Sequence, residues 1–185
     1  RWRMSNKKVP MLNRHIRALS ERLVQGEPLT HNMLSWAKQH VEWSLAEGDY
    51  TARDGVLMLV IDVNGNAAMT VGEYEPLADT SAKALSARSA EARSEADETG
   101  VAPELLAAVN NGELAFVAPA DECLCGTATL IEQLAQTKGI PVTRVDIPAQ
   151  LKGALFLVSD EHGVVPATET DAAEADAATV AFFAD

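Results

Sequence analysis

The stretch Gly112–Thr168 constrains the fold most, because short apolar runs alternate in it with one amphipathic, punctuated helix. Leu114–Val117 is apolar and stopped by Pro119, so it predicts a short strand. The loop Ala120–Gly126 then feeds a helix whose start is marked by Thr127, Thr129 and Glu132. Thr129 and Glu132 have the spacing of a capping box, in which hydroxyl and carboxylate each satisfy a backbone N–H at the helix start. Leu130, Ile131, Leu134 and Ala135 fall on one face. Lys138-Gly139 closes the helix with a cation near its negative pole and a residue that tolerates positive φ. Val142–Ile147 alternates and predicts a strand. Ala154–Val158 is continuously apolar and predicts a more deeply buried one.

The first half reads as a second unit. Arg1–Met4 predicts a short strand and Lys7–Leu12 another, after an Asn-Lys-Lys turn. Asn13 caps a helix through about Val24, with Ile16, Leu19, Leu23 and Val24 inward, and Gly26-Glu27-Pro28 breaks it. A second helix over about Thr30–Ala46 turns Met33, Leu34, Ala37, Val41 and Leu45 inward. Trp36 and Trp43, seven residues apart, lie beside that face and suit core or interface packing. Gly55–Val63 and Ala67–Glu75 flank Asn64-Gly65, a strong hairpin signal. The expected fold class is α+β: an N-terminal unit of helices and hairpin over residues 1–77, a linker near Pro76–Thr80, and a C-terminal α/β unit over 81–185. Ser81–Asp97 predicts a helix ended by Gly100. Pro103–Val109 fits a short helix by its flanking Pro and Asn-Asn-Gly. The tail Glu169–Asp185 is acidic and Ala-rich, either a helix held by Phe182 and Phe183 or an irregular end. Ile16, Leu19, Leu59, Ile61, Leu134 and Phe156 are expected to be buried.

Charge and composition exclude several function classes. The formal net charge of −12 argues against nucleic acid or an anionic membrane as the main partner. No apolar run approaches the length of a spanning helix, and the basic N-terminus leads into an amphipathic helix, not the apolar core of a signal peptide. Cys123 and Cys125 are the only cysteines. Their spacing disfavours both a metal site and a disulfide, and two reduced thiols suit the cytoplasm. His31 and His40 share no face with a carboxylate pair. No metal is expected.

The chemistry concentrates at the loop–helix junction. Gly126, Thr127, Ala128 and Thr129 offer free N–H groups, hydroxyls and a positive helix pole, which favour a phosphate or carboxylate; an ordinary capped helix start has the same look. Around this junction the chain resembles the class IV aminotransferases, the pyridoxal-phosphate (PLP) enzymes that include branched-chain and D-amino acid aminotransferases and aminodeoxychorismate lyase. The resemblance is carried by Asn111-Gly112-Glu113-Leu114, Pro119, Leu124-Cys125-Gly126-Thr127-Ala128-Thr129, Leu134-Ala135, Gly139-Ile140-Pro141-Val142, Ala154-Leu155-Phe156-Leu157 and Gly163-Val164-Val165-Pro166. It extends N-terminally through Leu12-Asn13-Arg14-His15-Ile16-Arg17-Ala18-Leu19, Gly26-Glu27-Pro28-Leu29 and Gly55-Val56-Leu57-Met58-Leu59, and implies strands, not a helix, over Pro103–Val109.

Such enzymes need a lysine for the cofactor aldehyde, a carboxylate facing the pyridine nitrogen, an arginine and backbone amides for the phosphate. The resemblance implies Lys83 as the lysine, the only one between Lys38 and Lys138, and Glu104 as the carboxylate. It implies cofactor contacts from Arg17, Gly126, Thr127, Ala128 and Ser159. It also implies a small amino acid as substrate and a homodimer as the working assembly. The chain departs from the pattern in several places. The family arginine falls on Ala18, with Arg17 one place early; Ala128-Thr129 replaces Thr-Arg; and Asp160 follows Ser159 where a negative charge repels phosphate. Two expectations follow: a PLP-dependent aminotransferase or lyase, or a cofactor-free protein on the same scaffold that serves in binding or assembly.

Overall fold

A computed structural model describes residues 1–48, 50–62, 64, 66–169 and 171–185. The N-terminal half builds a three-stranded sheet in the order β1-β4-β5, from β1 (Trp2–Met4), β4 (Gly55–Ile61) and β5 (Ala67–Gly72), all antiparallel. Two helices accompany it, α1 (Leu12–Ser20) and α2 (His31–Glu47). The hydroxyl of Thr30 caps α2 by accepting the N–H of Met33. Trp2, Met4, Val41, Leu45 and Leu57 close this core, with Ile16, Leu19 and Leu59 packed at its edge. The expected hairpin is present; Val63 and Gly65, which belong to its expected strand and turn, lie outside the described residues.

Three expectations in this half are corrected. Asn13 does not cap α1 but lies inside it, with Met11 at the cap position. Lys7–Leu12 is not a strand, because Asn6 and Lys7 both sit at positive φ and the pairing stops at a single bridge between Ser5 and Lys8. Helix α1 ends at Ser20, short of Val24. Leu23–Val24 (β2) turns back at Gln25-Gly26 to pair with Glu27–Pro28 (β3), so Gly26 serves as a turn residue of a small hairpin.

The C-terminal half is a five-stranded sheet in the order β10-β9-β6-β7-β8. Its strands are β6 (Glu104–Asn110), β7 (Glu113–Val117), β8 (Val142–Val145), β9 (Ala154–Ser159) and β10 (Gly163–Pro166). Helix α4 (Gly126–Thr137) makes the crossover between the parallel pair β7 and β8. Pro103–Val109 resolves as a strand. Residues 104–109 are all buried because β6 is central and both faces are covered. Leu105, Ala107 and Val109 meet Phe116, Ile131, Phe156 and Phe183 on one face, while Leu106 meets Leu85 and Leu157 on the other. The helix α3 (Ala82–Thr99), capped by Ser81 and ended by Gly100 at φ 81°, supplies that second face. The tail forms α5 (Glu174–Ala184), with Phe183 buried, Phe182 exposed, and Thr170 outside the described residues.

Buried Asp176 fastens α5 by accepting the N–H groups of Asn111 and Gly112 in the β6–β7 turn, each at 2.9 Å. Phe156 is fully buried as expected; Ile16, Leu19, Leu59, Ile61 and Leu134 are only partly so. The halves meet where α1 packs on α4 and where the N–H of Arg3 donates to the carbonyl of Asp160.

Candidate ligand-binding cleft

A cleft of about 960 Å³ opens at this junction. Helix α1 contributes His15 and the segment after it Arg22, β4 contributes Leu59–Ile61, and α3 contributes Arg88, Glu91, Glu95 and Glu98. The start of β6 adds Glu104, the residue before α4 adds Cys125, and the end of β9 adds Ser159–Glu161. Six carboxylates line it against three guanidiniums, so its field favours cations.

The strand β9 ends by sending consecutive side chains to two different partners. Ser159, 1% exposed, donates its hydroxyl to Glu104 Oε1 at 2.8 Å and accepts the N–H groups of Glu161 and His162. Glu104 is also held by the guanidinium of Arg88, whose Nη2 donates at 2.9 Å and lies 3.1 Å from His162 Nε2. Burial lowers the His162 pKa, against the opposing carboxylate of Glu161, with Arg88 acting in the same sense as burial. Tyr74, in the connector after β5, covers His162 and is itself covered by the Arg3 guanidinium 3.3 Å above its ring.

Asp160 turns the other way, onto the first turn of α4. Its Oδ1 accepts the N–H of Thr127 at 2.7 Å, and its Oδ2 lies 3.3 Å from His15 Nδ1. Burial raises the Asp160 pKa, but His15 and the Thr127 amide outweigh it and hold the carboxyl below its ordinary range. His15 is 3% exposed and stacks on Trp2 with centroids 5.4 Å apart.

The expected capping box is not what starts this helix. Cys125 occupies the cap position without a side-chain bond, and the Thr129 hydroxyl donates to the Gly126 carbonyl. Glu132 faces Arg144 instead. A carboxylate from a distant strand, Asp160, serves an amide that local sequence leaves free.

The expected site residues therefore separate into three groups. Glu104 and Ser159 are brought into direct contact. Gly126 and Thr127 meet Asp160 and His15, while Ala128 is fully buried in the core. Lys83 and Arg17 are exposed and line no part of the cleft. The sequence reading missed His15, Arg88, His162 and Tyr74. His15 stood inside a recognised motif, but nothing in its local spacing shows that it reaches α4. Burial pushes the Cys125 thiol well above its usual pKa, so it is not an activated nucleophile. Among the described residues no cluster suited to a metal ion is found, and no helix is long and apolar enough to cross a membrane.

PLP does not fit this arrangement of residues. Among the described residues no lysine lines the cleft. The carboxylate expected to face the pyridine nitrogen is committed to Arg88 and Ser159. The amide of Thr127, expected to face the phosphate, is taken by a carboxylate that would repel one.

No family model and no curated protein matches the sequence. Solved structures do match the fold. A structure provisionally assigned as a 4-amino-4-deoxychorismate lyase superposes with a TM-score of 0.66 at 15% identity, over 99% of this chain and 87% of that one. A provisionally assigned branched-chain amino acid aminotransferase from Thermotoga maritima gives 0.62 at 16% identity, over 98% and 82%. A hypothetical aminotransferase from Mycobacterium tuberculosis, in a PLP-bound form, gives 0.57 at 12% identity, over 98% and 85%. At these identities the likeness establishes a class IV aminotransferase-like fold.

Proposed function

We propose that this chain is a cofactor-independent binding protein on the class IV aminotransferase scaffold, whose cleft takes a small amino-acid-like molecule through its amino group. One observation carries the reading: the carboxylate of Asp160 sits on the Thr127 N–H, where a phosphorylated cofactor would need that donor. The acidic surplus of the lining supports an ammonium group as the recognised feature. Glu91 and Glu98, which form no salt bridge among the described residues, are the carboxylates best placed to meet it.

The competing reading is a PLP-dependent aminotransferase or lyase, with Lys83 binding the cofactor and Glu104, Arg17, Gly126, Thr127, Ala128 and Ser159 supporting it. Its support is the shared fold, which includes a PLP-bound structure. When bound, PLP acts as an electron sink for carbanions; that chemistry needs a lysine at the cofactor, and here the only lysine it nominates is exposed on the outside of α3.

A titration with PLP separates the two. The expected result is no saturable absorbance above about 400 nm and, after borohydride reduction, no stoichiometric adduct on one lysine. A single adduct at Lys83 would overturn the reading. Thermal shifts with amino acids and with their N-acetylated forms then test amine recognition: stabilisation by the first group alone is expected.

A homodimer is the assembly we propose. Trp36 and Trp43 on α2 are 41% and 64% exposed, a large aromatic area for a free surface. Light scattering that gives a monomer at micromolar concentration would contradict it.

A further inference from the structure

We propose that Asp160 is the built-in occupant of an oxyanion site, standing where an external phosphate would sit, and that shortening this side chain opens the site to inorganic phosphate. The inference deepens the cofactor-independent reading and rests on it.

Three features build the site: two donors aimed at the carboxylate, and a glycine that makes room for one of them. The first is the pole of α4, a helix of 12 residues whose Thr127 N–H points at Oδ1. The second is His15. Its Nδ1 is buried and makes no hydrogen bond; it lies 3.3 Å from Asp160 Oδ2, close enough for charge pairing. Its donor capacity is therefore directed at the same place as the helix pole and is not used by any other group. The third is Gly126, whose missing side chain leaves the space into which the His15 ring reaches. The helix-start amide and the imidazole together make donors for an anion with several oxygens. A carboxylate offers only two, and both are in place.

The site is also accessible once emptied. Asp160, His15 and Cys125 all line the cleft, so removing the carboxylate connects the helix pole to solvent. Removing it also deletes the negative charge nearest the pole, while the Arg22 and Arg1 guanidiniums stay in the same wall.

Asp160→Ser and Asp160→Asn distinguish charge from space. Asparagine still fills the place and can still accept the Thr127 N–H, so it excludes phosphate without bearing a charge. Serine is shorter and leaves room. Thermal unfolding is followed with sodium phosphate and with sodium chloride at matched ionic strength. The expected result is a phosphate-specific rise of about 3 °C at about 10 mM phosphate for Asp160→Ser, with none for wild type or Asp160→Asn. An equal rise in all three, or none in a folded Asp160→Ser, overturns the proposal.

If Asp160→Ser does not fold, the Thr127 amide resonance of the wild type decides. It is expected to follow one carboxyl titration with a midpoint below the ordinary aspartate value of 3.8; a resonance that stays flat as pH falls shows that Asp160 does not occupy the site. Colour and a lysine adduct in wild type defeat the cofactor-independent reading. Indifference of Asp160→Ser to phosphate while wild type stays colourless defeats this inference alone.

Discussion

The Nδ1 atom of His15 lies 2.5 Å from the point where a Cβ on Gly126 would stand. No real Cβ is tolerated that close, so Gly126 is required here by a neighbouring side chain, not by the approach of a ligand. Gly126→Ala is expected to lower stability by about 1–3 kcal/mol, since the ring cannot retreat without leaving Trp2 and Asp160. In a His15→Ala background the same substitution should cost much less, because only the backbone N of residue 15, at 3.2 Å, still crowds the new Cβ and alanine gains helix propensity. A double-mutant cycle by urea unfolding measures the coupling; an additive result would remove the steric account.

Asp160 should shape the acid limb of the stability profile. Its native pKa is depressed, so it stabilises the fold above the ordinary value of 3.8, and that contribution is lost as pH falls through the lower native value. Asp160→Asn is expected to be less stable than wild type at neutral pH and to converge with it in acid. Parallel curves across that range would show that the carboxylate charge does not matter.

Arg88 and Glu104 form the other committed pair. Arg88→Ala leaves the Glu104 carboxylate buried beside Ser159 without its cation, which is expected to cost about 3 kcal/mol. Arg88→Ala with Glu104→Gln should recover much of the loss, because the uncompensated charge is gone. Chemical denaturation of the three variants checks the order.

Lys83→Ala is expected to change stability by less than about 0.5 kcal/mol, as for an exposed helical site with no partner, and to leave ligand binding in the cleft unchanged. A loss of binding by calorimetry would restore Lys83 to the site.

Asp176→Ala should release α5. The side chain accepts two amides from the β6–β7 turn and is 3% exposed, so its removal leaves two donors unserved. Charged hydrogen bonds of this kind are worth about 1.5–3 kcal/mol each. Faster proteolysis within residues 171–185 than in the rest of the chain is the expected readout.

The elements were legible wherever one short stretch carried its own signal. The helix starts near Thr30 and Ser81, Gly100 as a stop, and the continuous apolar run of β9 could each be read from neighbouring residues alone. Residues 103–109 were ambiguous because a central strand covered on both faces loses the alternation that distinguishes strands. The start of α4 was misread for a different reason. A local Thr-Glu spacing looked sufficient, while the helix starts earlier, at Gly126, and its Thr127 donor is satisfied from Asp160, 33 residues away.

The candidate site was legible only in part. Glu104 and Ser159 were singled out for a cofactor and instead hydrogen bond to each other. The charge conflict at Asp160 was visible in sequence, yet its partner His15 sits 145 residues earlier, beyond the reach of any spacing argument.

The pairing of β6 with β9 sets Glu104 opposite Ser159. Those strands are separated by β7, α4 and β8, so this register closes a long loop and belongs with the slow, non-local contacts of folding. The helices and the β4–β5 and β6–β7 hairpins, whose contacts are local, can precede it. The wall of the cleft cannot, because Glu104 and the Ser159–Asp160 corner are brought together only by that non-local pairing. Binding competence should therefore appear in refolding later than helical signal, and a chain stalled before that step would present apolar sheet faces with no cleft to stabilise them.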